Sequence, residues 1–304
     1  MLKRLKKFGL ITGLSATLML AACGGSGDEN SSDEGADTSA GYGEQMNYQI
    51  TGIEAGAGVF KATENAIEEY GLEGWEVQAS SSGAMATTLG EAYEKEEPII
   101  VTGWSPHWKF AKYDLKYLED PKGVYGDEET INTMVREGLE NDKPEAYQVL
   151  DNFYWTPDDI ESVMLKISEG KDPRDAAKEW IDENEDKVAE WIEGVSEVDG
   201  DEIELVYVEW DTEVSSTNVV GLVLESLGYN VTITPLDNAV MWEAVATSEA
   251  DAMVAAWLPG THGDLYEQYK DQLIDLGPNL EGAKIGLVVP SYMDINSIED
   301  LDTK

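Results

Sequence analysis

Cysteine, histidine and basic residues are scarce in this sequence of 304 residues. It contains one Cys and two His, and 20 Lys and Arg stand against 62 Asp and Glu, for a formal net charge of −42. A single cysteine cannot form an internal disulfide, so the fold must rely on packing. So few His and Cys also make a poor ligand supply for zinc. The deficit of basic residues argues against a nucleic-acid partner, because phosphate contacts need clustered Lys and Arg.

Long hydrophobic runs are missing too, apart from one short stretch near the N-terminus. There a basic head over residues 3–7 precedes the apolar run FGLITGLSATLML, and LAAC ends at Cys23. The run is shorter than a membrane-spanning helix needs. The layout is typical of a secretory signal peptide that ends in a lipobox-like sequence. We predict a signal peptide over residues 1–22 and a lipid on Cys23. Residues 23–46, rich in Gly, Ser and acidic residues, are predicted to form a flexible tether.

Two blocks of the remaining chain alternate strand and helix patterns, with a block predicted to be helical between them. The first block runs from YQITGIEAG (48–56) to PIIVTGW (98–104), and the second from EIELVYVEW (202–210) to AKIGLVVP (283–290). Such alternation predicts parallel sheets with helices on both faces, and two blocks predict two α/β lobes. In open α/β sheets, ligands bind outside the carboxyl ends of the strands.

The intervening block, residues 128–194, is predicted to be helical throughout. One helix begins with Thr156 as its N-cap and Pro157 at its first position. Another is expected to run unbroken over residues 173–194, where Trp180 and Trp191 recur at a spacing that suits core-facing residues.

Three predicted strands end in tryptophan, at Trp104, Trp210 and Trp257. One Trp at a strand end is commonly core filler, but three at equivalent ends in two blocks can converge in a cleft between lobes. Converging indole faces attract quaternary ammonium groups by cation–π interaction. Stacking on a sugar remains an alternative on these residues alone. The acidic neighbours Glu209 and Asp211 are expected to be surface residues.

The Gly-rich turn GIEAGAGV (52–59) joins a strand to a helix without the pattern of a nucleotide-binding loop. Its backbone N–H groups, at a helix N-terminus, can hold a small anion, although a plain tight turn explains the glycines equally well. Together with the tryptophans it suits a ligand with a quaternary ammonium at one end and a carboxylate at the other. No nucleophile and base are paired as a hydrolase requires, so no enzyme, cofactor or metal is expected.

Five longer motifs carry a family resemblance: TGWSPHWKFAKYDLKYLEDPK, YVEWDTEVSSTNVVG, PLDNAVMWEAV, AAWLPGTHGD and GAKIGLVVPSYM. From residue 47 to the end, the chain resembles the glycine betaine/proline betaine binding proteins of ABC importers. The resemblance implies a two-lobed, type II periplasmic-binding-protein-like fold with the ligand in the cleft between lobes. Each lobe is expected to be a mostly parallel sheet flanked by helices. The resemblance further implies a monomer that is anchored outside the membrane and delivers its ligand to a permease with a cytoplasmic ATPase.

The resemblance also implies the site, residue by residue. The trimethylammonium group would lie in a cage of Trp104, Trp210 and Trp257. The carboxylate would be held by His262 and by the backbone amides of Gly58 and Val59. His107 and Trp108 receive no role from the resemblance and are expected to be structural.

The order of the two halves departs from the commoner family pattern, in which the half with YVEW, AWLP and GLVVP comes first. The chain therefore resembles a circular permutant, which adjacent termini tolerate. We expect one lobe over residues 47–110 plus about 291–304 and the other over 111–290. Choline, carnitine or another quaternary-ammonium or sulfonium zwitterion remains an alternative ligand, and a ligand-sensing lipoprotein an alternative role. Choline has no carboxylate for the Gly58, Val59 and His262 donors.

Overall fold

The computed structural model describes residues 41–304. The predicted signal peptide, the lipidation site Cys23 and most of the predicted tether therefore lie outside the described residues. The last part of that tether is folded, because Tyr42–Gln45 forms the one-turn helix α1 and Gly43 is buried. The Gly43 N–H donates to Asp302 Oδ1 at 2.8 Å, so the two ends of the described chain are adjacent. This proximity is what a circular permutation needs.

Nine strands within residues 41–304 form one mixed sheet. They are β1 Gln49–Thr51, β2 Glu76–Gln78, β3 Val101–Ser105, β4 Leu115–Tyr117, β5 Glu129–Arg136, β6 Glu202–Tyr207, β7 Asn230–Pro235, β8 Ala252–Leu258 and β9 Leu273–Pro290. Their order is β2-β1-β3-β9-β5-β8-β6-β7, and β4 also pairs with β9. The predicted α/β class is confirmed. The expectation of a mostly parallel sheet is wrong, because β9 runs antiparallel to β3, β4 and β5, and β5 runs antiparallel to β8.

The long strand β9 joins two halves of this sheet. Its C-terminal part pairs antiparallel with β3 and β4, and its N-terminal part pairs antiparallel with β5. Each half also contains a parallel group, β2-β1-β3 in one and β7-β6-β8 in the other. We call these the β1 half (β1 to β4 with residues 284–290) and the β6 half (β5 to β8 with residues 273–283). The lobe boundaries given above stay predictions.

Helices cover the sheet and supply most of the remaining structure. Besides α1 they are α2 Gly58–Glu69, α3 Ser82–Glu94, α4 Lys109–Lys112, α5 Leu139–Asp142, α6 Pro144–Asn152, α7 Pro157–Ser168, α8 Pro173–Glu183, α9 Glu185–Trp191, α10 Asp211–Ser226, α11 Asn238–Ala246 and α12 Gly263–Tyr269, with a 3-10 turn at Ile298–Asp300. Among residues 41–304, no helix combines the length and hydropathy that crossing a membrane requires.

The helix that begins at Pro157 follows its predicted start. The Thr156 hydroxyl accepts from the Asp159 N–H, and the Asp159 carboxylate accepts from the Thr156 N–H in return. This capping box satisfies two donors that a helix N-terminus otherwise leaves open. The expected single helix over residues 173–194 is instead broken at Asn184 into α8 and α9. Trp180 and Trp191 are both buried and stack with ring centroids 5.7 Å apart, so their predicted place in the core is confirmed.

The helix predicted at the start of the intervening block is wrong, because this segment forms strand β5. Its apolar residues Ile131, Met134 and Val135 follow a helical spacing, which misled the prediction. The segment is nevertheless rich in β-branched side chains, which suit a pleated sheet. It also lies between β8 and β9, where five consecutive residues, 131–135, are buried. Tertiary pairing therefore overrides the local periodicity.

Candidate ligand-binding site

A small cavity lies where the carboxyl ends of β1, β3 and β8 and the loop after β6 come together. Its walls are mainly apolar. The lining residues are Ile53, Ala57, Gly58, Val59, Trp104, Trp210, Thr212, Trp257, Thr261 and Ile285. Five of the six predicted ligand contacts are thus brought around one space, and His262 is the exception. Ile53, Ala57, Thr212, Thr261 and Ile285 were missed by the sequence reasoning, since only their neighbours carried a signal.

The three tryptophans reach the cavity from three separate elements. Trp104 lies in β3 and Trp257 in β8, as expected. Trp210 does not end a strand, because β6 stops at Tyr207 and Trp210 is the N-cap residue of α10. All three side chains are at least 94% buried. An indole face buried beside an apolar cavity is shielded from water, which strengthens its attraction for a cation.

Trp210 is held in its orientation by a partner from the other half of the sheet. Its indole Nε1–H donates to Glu54 Oε2 at 2.9 Å. Its backbone N–H donates to Val208 O, and the Val208 N–H donates to the buried carboxyl of Glu213 at 2.9 Å. The loop between β6 and α10 is therefore tied down on both sides of the ring.

Gly58 and Val59 form the first turn of α2, directly after the extended residue Ala57. The first N–H groups of an α-helix have no partner within the helix, so this turn offers donors to an anion. Gly58 is required by a close approach to the other half of the sheet. A Cβ on it would lie 2.3 Å from the carbonyl oxygen of Thr261.

His262 is buried just behind the cavity wall. Its Nδ1 accepts the Trp257 N–H at 3.0 Å, and its ring is parallel to that of Trp210 with centroids 6.1 Å apart. Burial, with the nearby charge of Lys61, lowers the pKa of His262 to about 3, so the imidazole is neutral. Since Nδ1 accepts, the proton is on Nε2. That Nε2–H is buried without a hydrogen-bond partner among residues 41–304.

The expectation that Asp211 is a surface residue at a strand end is wrong. It begins α10, and its carboxylate accepts from Trp108 Nε1–H at 2.8 Å and from Ser82 Oγ–H at 2.9 Å. His107 Nε2 lies 3.4 Å from the same carboxylate. Burial alone would raise the pKa of Asp211, but the contacts with His107, Trp108 and Ser82 lower it. Glu209, by contrast, is exposed as expected.

The contacts around the cavity join the two halves of the sheet. On one side of the cavity, Asp211 in α10, which follows β6, contacts residues from the β1 half. These are Ser82 in α3, and His107 and Trp108, which follow β3. On another side, the Gly-rich turn meets Trp210 through Glu54, and Asn238 Nδ2–H reaches Gly56 O at 3.4 Å. The arrangement can therefore enclose a small ligand between apolar ring faces and helix N–H donors.

Comparison with known proteins defines the class of protein. Residues 34–183 and 201–304 match the OpuAC family, described as the substrate-binding domain of the ABC-type glycine betaine transport system. The chain belongs to this family and is an extracytoplasmic substrate-binding protein of an importer. The family serves substrate binding in transport.

Individual relatives narrow the comparison. The chain is 55% identical over 306 residues to the glycine betaine/carnitine transport binding protein GbuC of Listeria monocytogenes, across 100% of this chain and 99% of that protein. It is 53% identical to lactococcal OpuAC, solved in a closed, glycine betaine-bound form, over 49% of this chain and 59% of that one, with a TM-score of 0.46. It is 34% identical to the ProX binding protein of Borrelia burgdorferi, over 49% of this chain and 58% of that one, with a TM-score of 0.43. The chain thus spans just under three fifths of each of these two solved chains.

Proposed function

We propose that this protein captures glycine betaine and proline betaine outside the membrane and delivers them to an importer permease driven by a cytoplasmic ATPase. The observation that carries the proposal is the convergence of Trp104, Trp210 and Trp257 on one buried cavity that also contains the first turn of α2. A trimethylammonium group cannot donate a hydrogen bond, so π faces suit it better than a hydrogen-bonding acceptor. Each cation–π contact contributes roughly 0.5–2 kcal/mol.

The carboxylate end of the ligand would be held by the N–H groups of Gly58 and Val59. The positive end of the α2 dipole favours an anion at this position. The Nε2–H of His262 would supply a third donor, because it is buried and otherwise unpartnered. A neutral donor suits this place, since a charged imidazolium would repel the ammonium group a few ångströms away.

Binding would close the two halves of the sheet around the ligand. Contacts from Asp211 to Trp108 and Ser82, and from Trp210 to Glu54, cross between the halves. They form only when the halves meet, so ligand binding and closure would stabilise each other. The importer would then recognise the closed form.

Carnitine is the second candidate ligand, because the Listeria relative is named for both glycine betaine and carnitine. Carnitine keeps the trimethylammonium and carboxylate groups but carries a longer, hydroxylated spacer. Choline fits less well, because it would leave the N–H donors of Gly58, Val59 and His262 without an anion, which costs free energy in a buried site.

The site would operate from the membrane surface. A lipid on Cys23 would anchor the protein, and the tether predicted over residues 23–46 would connect the anchor to the rest of the chain. This arrangement keeps a monomeric binding protein close to its permease and raises the effective concentration of one for the other.

Titration calorimetry with glycine betaine, proline betaine, carnitine and choline tests the proposal. We expect micromolar or tighter binding of the betaines, weaker binding of choline, and a change in Trp fluorescence. Replacing Trp104, Trp210 or Trp257 by Leu should weaken betaine binding at least about tenfold, the loss of one strong cation–π contact. Trp75→Leu is the matched control, because Trp75 is equally buried but does not line the cavity. No binding at millimolar betaine would overturn the proposal.

A further inference from the structure

Lys109, the first residue of α4, is the one lysine or arginine within residues 41–304 that is buried, with no exposed surface. Its Nζ lies 4.2 Å from the centroid of the Trp104 ring and donates to the Trp104 carbonyl oxygen at 3.3 Å. No carboxylate oxygen in the described part of the chain lies within 4 Å of this ammonium group, so Lys109 has no ion-pair partner there.

The charge of this lysine is poorly compensated, because a buried ammonium loses its hydration. Burial lowers the pKa of Lys109 to about 7, while the more distant Asp211 on α10 and Glu161 on α7 act in the opposite direction. Another titratable neighbour is His107, whose Nδ1 accepts the Lys109 backbone N–H at 3.1 Å. Burial lowers the pKa of His107 to about 4, so it is neutral around pH 7.

Trp104 is shared between this lysine and the cavity. Trp104 lines the cavity, whereas Lys109 does not, so the ammonium group contacts the indole from outside the cavity. A ligand cation within cation–π distance of the same ring would lie only about 8 Å from Nζ, because each cation lies about 4 Å from the ring. Two positive charges would then interact with the same indole ring and repel each other through a region of low dielectric constant.

The geometry points to Lys109 as a determinant of affinity and specificity: its ammonium competes with the ligand's cation for Trp104, so that binding expels a proton from Lys109 to solvent. The inference rests on the proposed function of the cavity. The neutral amine that remains no longer repels the ligand, and its lone pair places electron density behind the ring. A net cation such as choline would suffer the full repulsion of the protonated lysine, whereas the carboxylate of a betaine offsets part of it.

The direction of the pH dependence follows from the charge. Bound ligand disfavours protonated Lys109, so the pKa of Lys109 is lower in the complex than in the free protein. Betaine affinity should therefore rise with pH through about 7 and level off above pH 8. Charges about 8 Å apart at an effective dielectric constant near 20 correspond to a full change in affinity of roughly thirtyfold, of which about tenfold falls between pH 6 and pH 8.

Calorimetry between pH 6 and 8.5, in buffers of different ionisation enthalpy, tests the inference by measuring both Kd and the protons released. The wild type should bind glycine betaine about tenfold more tightly at pH 8 than at pH 6 and release up to about half a proton at pH 7. Lys109→Met should bind tightly at both pH values, release no proton, and gain more affinity for choline than for glycine betaine. Lys109→Gln provides a second neutral variant. Lys112→Met, on the exposed side of the same helix, should behave as the wild type.

The buried carboxyl of Glu213 and the half-buried carboxyl of Glu161 can also exchange protons, so Glu213→Gln and Glu161→Gln are needed as comparisons. The inference requires Glu213→Gln to keep the proton release and the pH profile. Glu161→Gln should keep the release but shift the profile to lower pH, because the charge of Glu161 raises the pKa of Lys109. The inference is overturned if a betaine-binding wild type shows constant affinity from pH 6 to 8.5 without proton exchange, or if proton release persists in both Lys109 variants. A wild type that binds no betaine at any pH would instead contradict the proposed function.

Discussion

Glu54 and Trp210 lie 156 positions apart in the chain, yet the indole N–H of Trp210 donates to the Glu54 carboxylate at 2.9 Å. The bond ties the Gly-rich turn of the β1 half to the loop that precedes α10 in the β6 half. It also fixes the plane of an indole that lines the cavity. One hydrogen bond therefore couples the orientation of a cavity-lining ring to the approach of the two halves.

We expect Glu54→Ala to weaken glycine betaine binding by roughly tenfold, since a hydrogen bond to a charged group contributes about 1.5–3 kcal/mol. Glu54→Gln keeps an acceptor for the indole N–H and should lose less. Calorimetry measures both, with Glu209→Ala as the control because Glu209 is exposed next to Trp210. Equal affinities for Glu54→Ala and Glu209→Ala would show that the bond plays no part in binding.

Gly58→Ala should weaken ligand binding at least about tenfold while leaving the fold intact. The new Cβ would lie 2.3 Å from the Thr261 carbonyl oxygen, so the two halves cannot approach fully. Alanine is otherwise favourable in a helix, by roughly 1 kcal/mol over glycine, so thermal stability without ligand should not fall. Gly56→Ala is the matched control in the same turn, because its Cβ would meet no atom within 4 Å. Binding by Gly58→Ala at wild-type strength would mean that this close approach is not needed.

Glu213 should make the protein less stable at high pH. Burial raises its pKa well above the ordinary value, and the Val208 N–H opposes this only in part. A raised pKa means that the stabilisation is complete below the ordinary pKa and is lost as the pH rises through the folded-state pKa. Glu213→Gln keeps an acceptor for Val208 and removes the ionisation. Denaturant unfolding at pH 5 and pH 8 should show the variant gaining stability over the wild type as the pH rises. A constant difference between the two proteins would contradict this.

Local pattern predicted most elements and much of the site, because strand and helix periodicity and capping are properties of neighbouring residues. The prediction failed where contacts with residues far away in the sequence determine the structure. Residues 129–136 follow a helical spacing but pair with residues 273–283, and no local signal reveals that partner. Asp211 looked like a surface residue because its partner Trp108 is 103 positions away. The cavity tryptophans Trp104 and Trp257 could be found because the carboxyl ends of strands in an α/β fold converge by rule. Trp210 lies just beyond the end of β6.

His262 should make the protein less stable in acid. A ligand contact made by His262 should nevertheless not depend on pH above pH 5. Its folded-state pKa, about 3, lies below the ordinary value of 6.5. As the pH falls below about 7, the unfolded chain therefore takes up a proton that the folded protein does not, and stability is lost progressively down to about pH 3. Between pH 7 and pH 5 this loss is about 2 kcal/mol at 1.36 kcal/mol per pKa unit.

Denaturant unfolding at the two pH values measures this loss, and the loss in His262→Gln should be smaller by that amount. Because His107 and the carboxyl groups titrate in both proteins, the difference between them isolates His262. An equal loss in the two would mean that His262 keeps its ordinary pKa in the folded state, and ligand binding through it would then depend on pH between 5 and 7.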